Sequence, residues 1–256
     1  MASDLFSLSG KTALVTGSHR GIGYAIAREM GRAGARVAIS SNDAAGCEAA
    51  LATLRADGIE AIAIPCDVGV DADLDRLVAG TLAAYGRIDI LVCNAGINPH
   101  FGSLTAAAEE EYEAIMRINL RSVLQLCNRV IPAMAGRGDG AVILTSSISG
   151  LRGNGKIGLY ALSKAAIAQL ARNYAVEFGP ANVRVNAISP GLIDTEFATP
   201  IISNPDILGP RLKKTPLRRV GTATEIAGAA VYLASPAGAF VTGHNLVVDG
   251  GTTIGD

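Results

Sequence analysis

The eight residues Thr16–Gly23, T-G-S-H-R-G-I-G, restrict this chain more than any other stretch. They follow a short apolar run, K-T-A-L-V-T at 11–16. They lead into a segment where Ile22, Ile26, Ala27 and Met30 recur at helical spacing. A strand, a glycine turn and a helix in succession let backbone wrap a phosphate. Gly17 permits the tight turn. Gly21 and Gly23 let the backbone approach a diphosphate, and the helix N-terminus favours its charge. Ser18, Arg20 and Ile22 fill the other positions in reach of such a ligand. The spacing is G-x-x-x-G-x-G rather than the commoner G-x-G-x-x-G, and the Gly-Lys-Ser/Thr of an ATP-type loop is missing. A glycine turn that binds nothing is the competing reading, so the remaining chain has to decide.

Apolar strands and amphipathic helices then alternate. Strands are expected at 36–41, 59–65, 88–93, 140–146, 182–189 and 245–249. Helices are expected at 43–57, 71–85, 106–135 (with room for an interruption), 158–178 and 223–234. Nearly continuous apolar strands mean a parallel sheet covered on both faces. The expected fold is α/β, a Rossmann-type doubly wound sheet of about seven parallel strands in a single domain spanning 1–256. Right-handed crossovers gather Gly17–Gly23, Asp67–Val68 and Asn94-Ala95-Gly96 at one carboxyl edge. Residues 192–217 carry four prolines and no clean period, and are expected to be an irregular substrate loop or lid.

The end of the second strand faces the adenine ribose in a dinucleotide-binding unit. An acid there accepts the 2′-hydroxyl and disfavours a 2′-phosphate. Ser41 and Asn42 occupy that place, and Arg20 lies in the nearby glycine loop. The set leans toward NADP over NAD, although Asp43 and the lack of a second basic residue pull the other way.

Hydrophobic residues make up 49% of the chain, but aromatics only 4% and Trp is absent, so the core must be built from Ala, Val, Ile and Leu. A net charge of −1, with neither sign concentrated, argues against nucleic acid or a membrane surface as partner. The densest basic cluster, Arg211, Lys213, Lys214, Arg218 and Arg219, reads as a solvated loop. Cys47, Cys66, Cys93 and Cys127 are scattered and the three histidines lack ligand spacing. A reduced, cytoplasmic protein without a metal site is expected. No leader, membrane-spanning run or C-terminal address is legible.

Ser147 stands thirteen positions before Tyr160, and Lys164 follows Tyr160 by four. On a helix the last two share a face one turn apart. An ammonium near a phenol is expected to lower its pKa from about 10, and a phenol so tuned can exchange a proton with a carbonyl or alcohol. Asn119, amid apolar neighbours, reads as a satisfied core amide.

These pieces in order, T-G-x-x-x-G-I-G, Asp67, N-A-G, Asn119, Ser147, Y-x-x-x-K and Pro190-Gly191, resemble the short-chain dehydrogenase/reductase (SDR) family over residues 8–251. Within it the chain is similar to 3-oxoacyl-carrier-protein reductases and NADP-dependent carbonyl reductases. The resemblance implies Tyr160 as proton donor and acceptor, Ser147 as orienter of the substrate oxygen, and Lys164 on the nicotinamide ribose. It implies Asn119 on a proton-relay water, and Asp67 and Asn94 on the adenosine side. Pro190, Gly191, Ile193 and Thr195 would hold the nicotinamide amide. Cys93 stands where the family usually has Asn. The resemblance also implies a homotetramer, for which the alanine-rich helix 158–178 offers a packing face. Residue types alone place Asn98, His100, Phe101, Leu151, Leu159, Leu192 and Phe197 around a mostly apolar ketone or alcohol, with His100 equally readable as a surface-loop histidine. The alternatives are a sugar or polyol dehydrogenase and a non-catalytic dinucleotide sensor.

Overall fold

The computed structural model describes residues 4–255. Its strands are β1 (Thr12–Thr16), β2 (Arg36–Ser40), β3 (Ala61–Ala63), β4 (Ile90–Cys93), β5 (Gly140–Thr145), β6 (Val183–Pro190) and β7 (Asn245–Val248). All pair in parallel, in the order β3-β2-β1-β4-β5-β6-β7. The chain runs outward from β1 to β3, then crosses back to β4. The carboxyl ends of β1 and β4 therefore border the crevice where the winding reverses.

The helices are α1 (Gly21–Arg32), α2 (Ala44–Ala56), α3 (Asp71–Tyr85), α4 (Glu109–Met116), α5 (Ser122–Arg137), α6 (Gly158–Phe178), α7 (Thr199–Ile202), α8 (Pro205–Lys214) and α9 (Ala223–Ala234). Strand side chains alternate between two cores. Ala13, Val15, Val37, Ile39 and Ile143 pack with α1, α2 and α9. Leu14, Ala38, Leu91, Val142 and Leu144 pack with α3, α5 and α6. Burial on both faces is why these strands read as unbroken apolar runs. The scarcity of aromatics is matched by this Ala, Val, Ile and Leu core.

The interruption allowed for in the helix at 106–135 is present: α4 passes into a single π turn, Arg117–Arg121, before α5. A π turn inserts an extra residue into a helix, and such turns are frequent at functional sites; here it buries Asn119 while Arg117 and Arg121 stay exposed. The stretch 192–217 is not irregular, since it contains α7 and α8. Pro200 and Pro205 occupy first-turn positions, where proline suits a helix, and the Asn204 side chain accepts from Asp206 N at 3.0 Å. No residue of α8 is fully buried, so no apolar stripe marked it. The basic cluster is accordingly the last turn of α8 plus the chain beyond it rather than one solvated loop. At the N-terminal end Leu8 is buried while Leu5 and Phe6 are exposed, so this segment lies over the surface. Residues 1–3 fall outside the described residues.

Candidate active site

The crevice is a cleft of about 610 Å³ running from the glycine loop to Tyr160. At its first end, Gly17 and Gly21 adopt φ of +61° and +58°. A Cβ on Gly23 would stand 2.2 Å from Gly17 O and 2.5 Å from Asn94 Nδ2, so only glycine lets α1 begin this close to the loop. Gly17, Arg20, Gly21 and Ile22 line the cleft, but Ser18 does not. Ser18 is fully buried, its hydroxyl donating to Val15 O at 2.7 Å and accepting from Ser40 N at 2.9 Å. It braces the loop against β2. Gly23 likewise works behind the surface.

Ser41 and Asn42 follow β2 into the cleft, and Asp67 and Val68 follow the end of β3. Asp67 accepts from Gly69 N at 2.8 Å, which fixes that turn. Asn94 stitches the crevice: its Nδ2 donates to Thr16 O at 3.2 Å and Gly17 O at 3.0 Å. Ala95 and Gly96 continue the wall. His19 was missed by reading the loop for its glycines. It lines the same end, and its buried Nδ1 has no partner among the described residues. Burial first, then Arg20, push its pKa below the ordinary value. Arg20 ion-pairs with Glu196, which comes from the lid across the cleft.

At the other end, Ser147 leaves β5 and caps a tight turn, Ile148–Gly150, accepting from Ser149 N at 3.1 Å. Gly150 allows this turn to lie on α6: a Cβ there would be 2.6 Å from Ala165 N. The first turns of α6 deliver Tyr160 and Lys164 to the cleft floor. Lys164 Nζ donates to Thr145 O at 2.7 Å and lies 5.6 Å from the Tyr160 ring centre. Asn119, at the centre of the π turn, is fully buried. Its Oδ1 accepts from Ile97 N at 2.8 Å, and its Nδ2 donates to Ile97 O at 2.9 Å and Ser163 Oγ at 3.1 Å. It thus clamps the segment after β4 to α6. This amide is satisfied by protein groups.

One electrostatic expectation reverses. Lys164 does not draw the phenol down. Tyr160 borders the cleft, but burial pushes its pKa up to about 12, opposed by the Ser147 hydroxyl. Burial also pushes Lys164 down to about 8. Both charged forms lose water here, and the ammonium is directed at the Thr145 carbonyl rather than the phenol oxygen.

The lid closes one side. Thr195 and Phe197 line the cleft, and the Phe197 ring lies 6.1 Å from that of Tyr160. Pro190, Gly191 and Ile193 stand behind this wall. Gly191 permits contact with Asp249, whose Cα would be 2.7 Å from an added Cβ. Ile193 is buried and pairs with Gly221. Leu192 lines a separate cavity of about 100 Å³, and Leu151 is exposed on the loop after Ser147. His100 is neither a surface-loop histidine nor free to meet a substrate. It is 5% exposed, with Nδ1 2.8 Å from Glu111 and Nε2 3.1 Å from Ser103 O, so it anchors the entry to α4. Cys93 is buried in the core with Cys127, and all four cysteines are free and buried. Among the described residues no group of side chains is arranged to hold a metal, and no helix is long and apolar enough to cross a membrane.

The cleft fits a dinucleotide. A Cβ on Gly21 would meet only the Thr195 side chain, at 3.5 Å, and one on Gly96 would meet Lys164 Nζ at 3.3 Å and Asn119 Oδ1 at 3.4 Å. Gly21 leaves space at the wall that a ligand can fill, while Gly96 lets the wall lie close against Lys164 and Asn119. A doubly wound sheet with a glycine loop at one end of its switch crevice and a Ser–Tyr–Lys group at the other defines a class, the dinucleotide-dependent oxidoreductases. Residues 17–253 match the family profile described as enoyl-(acyl carrier protein) reductase. Dehydrogenase/reductase SDR family member 4 of Bos taurus is 38% identical over 245 residues, spanning 96% of this chain and 88% of the bovine protein. A 7α-hydroxysteroid dehydrogenase, solved with NADH and 7-oxo glycochenodeoxycholic acid, has a TM-score of 0.94 at 35% identity, covering 98% of this chain and 97% of that one. A gluconate 5-dehydrogenase from Burkholderia cenocepacia J2315, in complex with NADP and tartrate, has a TM-score of 0.94 at 33% identity, covering 99% of each chain. The chain belongs to the short-chain dehydrogenase/reductase family and is a nicotinamide-dependent oxidoreductase acting on CH–OH groups or the corresponding carbonyls.

Proposed function

We propose that this chain interconverts a ketone and a secondary alcohol, with Tyr160 exchanging the proton at the substrate oxygen and NADP(H) preferred over NAD(H). The observation that carries the reading is the meeting of Ser147, Tyr160 and Lys164 at the end of a cleft that begins at the glycine loop. When bound, the dinucleotide supplies or accepts the hydride. Ser147 donates a hydrogen bond to the substrate oxygen and so positions it against the phenol. Lys164 holds the ribose hydroxyls beside Tyr160, and Asn119 keeps α6 and the wall after β4 in register. Thr195 meets the nicotinamide amide, while Asp67 and Asn94 border the adenosine. The preference for the 2′-phosphate rests on Ser41 and Asn42 at the end of β2, where no acid stands, and on Arg20 across from them. Related structures hold NADP in one case and NADH in another, so both dinucleotides suit the scaffold.

One domain carries both sites, and its lid from 192 to 217 covers the substrate. Four buried free thiols accord with a reducing compartment such as the cytoplasm. The exposed apolar side chains of α6 support a homotetramer. The test follows nicotinamide absorbance with a panel of ketones and alcohols, each with NADPH and NADH or their oxidised forms. Turnover with at least one pair is expected. Dinucleotide binding without turnover of any would replace the enzyme with a sensor.

A further inference from the structure

Arg152 and Arg211 are two positive charges brought together with no acid paired to either among the described residues. Arg152 lies on the loop after Ser147, next to Leu151, and Arg211 lies in the last turn of α8 in the lid. Hydrogen bonds tie the two segments. Arg152 Nη1 donates to Thr252 O at 3.4 Å, the Thr252 and Thr215 hydroxyls are 2.9 Å apart, and Thr215 Oγ1 donates to Arg211 O at 3.1 Å. Burial, and next the charge of Arg152, hold Arg211 below its ordinary pKa.

Nothing described neutralises the pair. Among the described residues neither arginine has a carboxylate within 4 Å. Asp249, the acid of the neighbouring turn, spends its oxygens on Gly251 N at 2.8 Å and Thr253 N at 2.7 Å. The other arginines after α8 are satisfied: Arg219 pairs with Glu225, and Arg218 donates to Lys213 O. A basic last turn favours the α8 dipole, and exposed Lys213 and Lys214 need no more explanation than that. It does not account for Arg211, which is half-buried and feels the charge of Arg152. Like charges in partly desolvated surroundings repel, and an anion between them reverses the sign of the interaction.

The position points to substrate. The loop that carries Ser147 also carries Arg152, and the lid that lays Phe197 beside Tyr160 also carries Arg211. Leu192 and Leu217 line the small cavity, which also includes Gly250, and Gly250 packs toward Thr215. We propose that Arg152 and Arg211 form the anionic end of the substrate site, so that the ketone or alcohol carries a carboxylate or phosphate remote from the reacting carbon. This rests on the oxidoreductase reading above.

The test compares matched pairs: a keto acid with its methyl ester, and a phosphorylated hydroxyketone with the free hydroxyketone. Wild type is expected to prefer the anion by about tenfold to a hundredfold in kcat/KM, expressed in KM, as for charge-assisted hydrogen bonds. The preferred pair distinguishes carboxylate from phosphate. In Arg211→Gln and Arg152→Gln the anion-to-neutral ratio is expected to fall toward one, while Arg211→Lys retains part of it. Because the readout is a ratio within each variant, a loss of folded protein does not imitate it. Calorimetric titration of hexanoate and inorganic phosphate into the dinucleotide-loaded protein gives a second readout, with binding expected in wild type and lost in Arg211→Gln. Neutral and anionic partners turned over equally by wild type would overturn the anion site and leave the oxidoreductase standing. Anion binding that depends on Arg211 without turnover of any ketone or alcohol would do the reverse.

Discussion

Tyr160 and Lys164 sit in a site whose burial works against their charged forms. With the phenol pushed up to about 12, Tyr160 is a proton donor across the physiological range and needs a nearby charge to become an acceptor. Tyr160→Phe removes the donor and little else. It is expected to lower kcat by about 100-fold to 10,000-fold, while the dissociation constant for NADPH, measured by fluorescence titration, stays within about threefold. Near-normal turnover would exclude the phenol. Lys164, pushed down to about 8, gives a pH prediction. If the ribose is held by the ammonium, the bound state keeps the proton that the free state releases above about 8, so binding takes up a proton there. Affinity is then flat below pH 8 and weakens as pH rises through it, by up to about tenfold per pH unit. Lys164→Arg, charged throughout, is expected to abolish that slope. A pH-independent dissociation constant in the wild type between pH 7 and 9.5 would remove the ammonium from the contact.

At the scale of elements, the site depends on how closely four segments approach: the glycine loop, the wall after β4, the turn after Ser147 and α6. Much of this was legible. Each strand appears within two residues of its expected ends, because parallel strands buried on both faces leave unmistakable apolar runs. The glycine loop, Ser147, Tyr160 and Lys164 were legible because each needs its residue type at a fixed spacing. What was not legible depends on tertiary contact. The π turn has no periodic mark, α8 has no buried stripe, and His19 stood out only once β2 lay beside the loop. The direction of the Tyr160 shift was hidden as well, since spacing reports proximity to Lys164 and not the loss of water. The close approach at α1 is testable. Gly23→Ala is expected to lower the melting temperature and to weaken dinucleotide binding, because its Cβ would sit 2.2 Å from Gly17 O. Gly136→Ala, in α5 with nothing within 4 Å of the added atom, is expected to raise stability by about 0.5–1 kcal/mol and leave affinity alone. Equal effects of the two on differential scanning fluorimetry and binding would show that helix propensity, not contact, decides at Gly23.

For the whole molecule, α6 links the active site to the outer surface. Its inner face carries Tyr160 and Lys164, while Leu162 and Val176, 57% and 80% exposed, stand fourteen residues apart on its outer face. Helical spacing puts them on one face, with Gln169, Arg172 and Asn173 exposed between them, so a partner here would meet two apolar side chains flanking a polar centre. A second copy covering this face would stabilise the helix that holds the proton donor, so assembly and activity should change together. Light scattering is expected to give four times the 26.1 kDa protomer. The double substitution Leu162→Glu, Val176→Glu places charge on this face without touching the cleft. It is expected to yield a smaller species and to remove the rise of melting temperature with protein concentration that association confers. If specific activity falls on dilution in the wild type and is low at every concentration in the double variant, assembly supports α6 in its working position. A wild type that is monomeric at all concentrations would mean that α6 is held by the β5–β6 side of the sheet alone.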